Sequence, residues 1–167
     1  NIDVQLHAVR FNPNFKYLTF LFDPSSQKNI FMKLQNVGFN TLIVPTKFIN
    51  PILLQNAAEC ELNIIVSESS EPQFQVYKNS GWTGQNLISG FIWKKKPSEK
   101  VLSGDLTHFL ELNILNGVFP KLPDTNMAPV LKLSYASREV IGKVKQLYKS
   151  RGGILMNTSF HYDSGDS

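Results

Sequence analysis

Over Gly90-Phe91-Ile92-Trp93-Lys94-Lys95-Lys96-Pro97-Ser98 an apolar, aromatic-ended strand pattern runs straight into three lysines and a proline. In α/β folds with parallel strands, the residues just beyond the strands' carboxyl ends share the rim where function gathers. Other strand patterns bring Asp23, Thr46 and Lys47, Ser67 and Glu68, Ser134 and Tyr135, and the run Asn157 to Asp163 to equivalent positions. Two carboxylates on such a rim, one acid and one base or nucleophile, would permit glycoside hydrolysis. Glu68 and Asp163 are the candidates; Asp23, followed by Pro24-Ser25, is better explained as a turn residue. His161 stands two residues before Asp163, at a spacing that suits a general base oriented by a carboxylate, with Ser159 nearby. The Gly-x-Ser-x-Gly turn that normally presents a hydrolase serine is missing. Catalysis by Glu68, Asp163 or His161 is therefore subordinate to a binding role.

For binding, Trp93, Tyr135 and Tyr162 offer planar rings on which the apolar face of a sugar can stack, and Lys95 and Asn157 offer polar contacts at the same rim. His7 and His108 have no partners at metal-ligand spacing, and Cys60 is the single cysteine. Neither a Walker A loop nor Gly-x-Gly-x-x-Gly occurs. The expectation is no metal and no cofactor.

The elements that must position these residues follow from periodicity. With 167 residues, 42% hydrophobic and 18% charged, the chain has the composition of a folded domain, yet it is short for a closed eight-stranded α/β barrel of about 250 residues. Strand patterns fall at 2–11, 17–22, 39–44, 62–66, 87–93, 130–133 and 154–157. Helix patterns fall at about 26–36, 51–61, 98–115 and 138–151, with Asn50-Pro51, Ser98 and Ser137 as start signals and Gly38 and Gly152-Gly153 as stops. Gln73 to Tyr77 reads equally as loop or short helix. The alternation predicts an α/β fold of β/α units with a mainly parallel sheet, barrel-like and partial, with an open doubly wound sheet as the alternative. One α/β domain over 1–167 is expected, as a piece of a larger barrel. The net charge of +4 is dispersed apart from Lys94–Lys96 and the series Arg138, Lys143, Lys145, Lys149 and Arg151, so nucleic acid is not the expected partner. No apolar run reaches membrane-spanning length, no signal peptide is visible, and the compartment is left open.

Three segments resemble known families. Val37-Gly-Phe-Asn-Thr-Leu-Ile-Val44, then Leu54 to Val66, then Asn86 to Ser98 are similar to successive β/α units of TIM-barrel glycoside hydrolases. Those families carry a "GFN-(T/V)-(I/V)" strand, an "AAxxxGLxVI" helix and strand, and a strand ending in "D/N-E-P" whose Glu is the general acid. Where the resemblance implies that acidic pair, this chain has Lys95 and Lys96 before Pro97. A lysine cannot protonate a glycosidic oxygen in the acid's place without a heavily shifted pKa. Residues 140–160, ending Ile154-Leu-Met-Asn-Thr-Ser-Phe160, resemble the "G-x-P-x-LLNTSFN" segment of NodU-type carbamoyltransferases, which implies a nucleotide-using enzyme. Residues 30–68 resemble one lobe of periplasmic sugar-binding proteins. Together these imply a non-catalytic module on a glycosidase-like scaffold that recognises carbohydrate or docks on another chain that completes its fold. The alternatives are a glycoside hydrolase with other carboxylates and a carbamoyltransferase-like domain.

Overall fold

The computed structural model describes residues 19–23, 30–84, 87–114, 127–133, 138–151 and 154–157. The fold is α/β, and the chain divides into two compact units, the first within Tyr17–His108 and the second beginning at Phe109. In the first, β1 (Thr19–Leu21), α1 (Ile30–Asn36), β2 (Thr41–Pro45), a 3₁₀ turn (Thr46–Phe48), α2 (Pro51–Glu59), β3 (Asn63–Ser67), α3 (Glu71–Asn79), β4 (Ile88–Trp93) and α4 (Glu99–Leu102) follow in order. β1 to β4 lie side by side in sequence order, each parallel to the next. β5 (Thr107–Ile114) starts at the end of that unit and leads into β6 (Ala128–Leu133), α5 (Arg138–Arg151) and β7 (Ile154–Asn157), where β5, β6 and β7 are again parallel and in order. A doubly wound sheet requires a reversal of strand order. Among the described residues, neither unit contains one.

Buried strands explain the sequence pattern. Leu42, Ile43 and Val44, and Ile64, Ile65 and Val66, are each no more than 1% exposed, so consecutive side chains on opposite faces are all covered. The registers Leu42↔Ile64 and Val44↔Val66↔Phe91 set these residues in rows across the sheet. Between Ile64 and Ile65 the pairing with β4 slips by one residue; Ser89, skipped there, donates its Oγ to the Ile64 carbonyl at 3.3 Å.

Several expectations change. The helix predicted from Ser98 through Leu115 ends at Leu102, and Thr107–Ile114 is strand β5. Leu106, Phe109 and Leu110 are spaced as on a helix, but His108, Phe109 and Leu110 are buried in succession, which is a strand's signature once tertiary contacts decide. Residues 73–77 lie inside a nine-residue helix, α3. The continuous apolar run at 17–22 predicts a strand covered on both faces, yet in β1 Leu21 is 40% exposed. On α2, whose apolar periodicity also includes Ile52, that residue is 72% exposed, while Leu53, Leu54 and Ala57 form the buried stripe. The strand predicted over 2–11 and the signals at Ser137 and Gly152-Gly153 lie outside the described residues.

Helix ends obey local chemistry closely. Asn50 Oδ1 accepts the Leu53 N–H at 3.0 Å, capping α2, with Pro51 in its first turn. α1 and α3 end with glycine in the left-handed region, Gly38 at φ 102° and Gly81 at φ 74°. α2 ends the same way with a glutamate: Glu61 sits at φ 56°, its N–H bonded to the Ala58 carbonyl and the Leu62 N–H to the Ala57 carbonyl. Glu61→Gly should therefore raise stability by up to about 1 kcal/mol, relief of left-handed strain outweighing the added freedom of the unfolded chain. Asn50→Ala should lower it by about 1 kcal/mol. Urea denaturation of the two variants measures both.

Candidate functional site

Because β3 and β4 are parallel and paired, the chain leaves both at the same rim, and the following segments form the walls of an open cleft. Its volume is about 520 Å³, and it is lined on one side by Glu68–Glu71 and on the other by Trp93–Pro97. The first wall is shaped by the β3 to α3 turn. Glu68 takes a left-handed conformation at φ 55°, which turns the chain off the sheet. Ser69 donates its N–H to the Ile92 carbonyl at 3.3 Å and its Oγ to the Val66 carbonyl at 3.0 Å. Ser70 Oγ accepts the Gln73 N–H at 3.4 Å and caps α3.

The two walls are joined by one carboxylate. Glu71, in the first turn of α3, accepts the Ser98 hydroxyl at 2.7 Å and the Ser98 N–H at 3.4 Å. Ser98 was expected to cap the helix that follows it; its side chain instead reaches across to α3, and α4 has no side-chain cap. On the second wall Lys94, Lys95 and Lys96 are all exposed and Pro97 is buried. Lys96 pairs with Glu99 at 3.0 Å, a solvated i,i+3 pair that adds little stability. Among the described residues, Lys94 and Lys95 form no ion pair.

Trp93, a candidate stacking surface, is only 3% exposed and belongs to the core. Its ring and those of Phe74, Phe91 and His108 form one cluster, with Phe74 and Phe91 4.9 Å apart edge to face. Trp93 Nε1 donates to His108 Nδ1 at 3.0 Å. An indole N–H only donates, so Nδ1 bears a lone pair and the neutral imidazole carries its proton on Nε2. Nε2 is buried with no partner in hydrogen-bond geometry. Burial holds the His108 pKa below its ordinary 6.5, with the backbone of Val101 acting in the opposite sense.

The remaining rim residues are partly engaged. The Tyr77 hydroxyl donates to the Thr46 carbonyl at 3.1 Å and accepts the Thr46 hydroxyl at 2.6 Å, tying the end of β2 to α3. Lys47 Nζ lies 5.1 Å from the Phe48 ring centroid. Asn157 is the last residue of β7, opposite Leu133, in the second unit. Tyr135, His161, Tyr162 and Asp163 lie outside the described residues. Of the residues singled out in the sequence, the cleft thus brings together Glu68, Trp93 and Lys95. Glu71, Ser98 and His108 escaped notice as site residues. The Ser70-Glu71-Pro72 start signal could have revealed Glu71, whereas nothing in the sequence pairs Trp93 with His108.

Among the described residues no group of three His, Cys, Asp or Glu side chains could hold a metal ion, and no helix is long and apolar enough to cross a membrane. No protein-family model, curated protein or solved structure matches the chain.

The buried neutral imidazole makes stability depend on pH. The folded pKa lies below the unfolded value, so the unfolded chain binds the extra proton first as pH falls. The contribution of His108 is complete above the ordinary value of 6.5 and is lost as pH falls below it toward the folded pKa. Urea midpoints measured from about pH 8 to about pH 5 should decrease on the acid side, and more steeply in the wild type than in His108→Gln, whose side chain does not titrate.

Proposed function

We propose that this chain is a non-catalytic recognition module that holds an acidic carbohydrate in the cleft between the carboxyl ends of β3 and β4. The observation that carries the reading is the pairing of an open 520 Å³ cleft with Lys94 and Lys95, two exposed cations on its wall without an ion pair among the described residues. That volume falls within the range of about 300–1,000 Å³ usual for small-ligand pockets. With Trp93 in the core, recognition would rest on charge and hydrogen bonds rather than on stacking against its ring. The carbohydrate class is supported by the resemblance of residues 37–98 to β/α units of TIM-barrel glycoside hydrolases. Strands that are parallel and in sequence order within each unit suit a partial barrel of that kind. The lysines in place of the acidic pair favour binding over hydrolysis.

One observation favours a second reading, a glycoside hydrolase using another carboxylate. Glu68 lines the cleft and is held at φ 55°, and non-glycine residues kept in that region cluster at functional sites. Hydrolysis of a fluorogenic glycoside that survives Lys95→Ala and is lost in Glu68→Gln would establish it.

Calorimetric titration with a uronic-acid oligosaccharide and its neutral counterpart separates the possibilities. The acidic sugar should bind more tightly, its affinity should fall with added salt, and Lys95→Ala should weaken it about tenfold, the worth of one charge-assisted hydrogen bond. Equal affinity for both sugars, or none for either, would overturn the binding proposal.

A further inference from the structure

Trp93 belongs to two structures at once. Its backbone closes β4 and starts the lysine-bearing wall of the cleft, while its indole is bonded inside the core. The acceptor of that bond, His108 Nδ1, cannot take a proton and keep it, because two N–H donors would then face each other across 3.0 Å. The second ring nitrogen is held only weakly: Nε2 is buried with no partner in hydrogen-bond geometry, and the Val101 backbone, which favours the charged ring, does not outweigh the cost of burial. Rings surround it: Phe74, Phe91 and Trp93 have centroids 5.7, 6.1 and 6.0 Å away.

Among the described residues, no carboxylate on the elements packed on this ring is placed to receive an imidazolium. On α3, Glu71 is exposed and bonded to Ser98, Lys78 is exposed, and the Tyr77 hydroxyl is engaged with Thr46. On α4, Glu99 and Lys100 are exposed, and Lys94 beyond β4 is exposed too. Near His108 in sequence, Asp105 is exposed and Glu111 half-buried. The influences on the His108 titration are burial and the Val101 backbone, with no charged side chain among them.

We propose that the His108–Trp93 pair is a proton-operated latch that holds the carboxyl end of β4, and the lysines that follow it, in place at neutral pH and releases them on acidification. The consequence for ligand binding rests on the cleft reading above; the release itself does not. Protonation turns the acceptor into a donor and places a charge among apolar rings, and the least disruptive response is for Trp93 to leave the cluster and carry the adjoining wall with it.

The test uses no ligand, so its outcome is independent of what the cleft binds. Trp93 fluorescence is followed from about pH 8 to about pH 4 in a Trp82→Phe background, with and without His108→Gln, whose amide oxygen can accept the indole N–H but cannot titrate. We expect a red shift of emission at a midpoint below 6.5 that is absent in His108→Gln. If that variant does not fold, nitrogen-15 spectra of histidine-labelled wild type decide: Nδ1 should be unprotonated near neutrality and gain its proton in the interval where the Trp93 indole signal moves. An identical acid profile with and without His108→Gln, or an Nδ1–H tautomer at neutral pH, would overturn the proposal.

Discussion

The seating of one phenyl ring, Phe74, against Phe91, Trp93 and His108 is the contact on which the cleft between β3 and β4 depends. It fixes α3 on β4. Phe91 and Trp93 alternate along one face of the strand, and Phe74 and Tyr77 lie one turn apart on the helix, so Tyr77 also stacks on Phe91. With helix and strand locked together, the segments leading into α3 and out of β4 are held at a set separation, and the cleft is the space between them. Removing the Phe74 ring would cost about 3–5 kcal/mol by the usual measure of a buried aromatic, a large part of the stability of a domain this size.

Polar contacts then refine what the rings hold. Glu71 clips Ser98, and the Thr46 and Tyr77 hydroxyls close the neighbouring rim. The glutamate is exposed, so its hydrogen bond adds little to global stability and acts mainly on geometry. Lys94 and Lys95 remain for solvent or ligand. Lys94 and Lys95 place positive charge on this rim opposite Glu68 and Glu71, and the proposal of binding over hydrolysis rests on those two lysines.

The sequence made the parallel β/α grammar legible because buried strands such as Leu42–Val44 and Ile64–Val66 are short, continuous and apolar, and because Asn50-Pro51 and Gly38 mark helix ends with residue-specific chemistry. It also placed Glu68 and Lys95 on a common rim, since strand ends can be read without knowing the packing. What it hid depended on distant contacts. Leu106, Phe109 and Leu110 satisfy a helical spacing and a buried strand equally, so the spacing alone predicts helix where β5 lies. Trp93 stands at a strand end, where a stacking platform and a core ring read alike; its partner lies fifteen residues away, with no local signal joining the two.

The central claim is that the walls at residues 68–71 and 93–97 form the ligand site. Amide hydrogen exchange of the intact chain, with and without a saturating uronic-acid oligosaccharide, tests it most directly. The account predicts slower exchange confined to those two segments, with the outer faces of α1 and α2 unchanged. Protection elsewhere, with these walls unaffected, would contradict it.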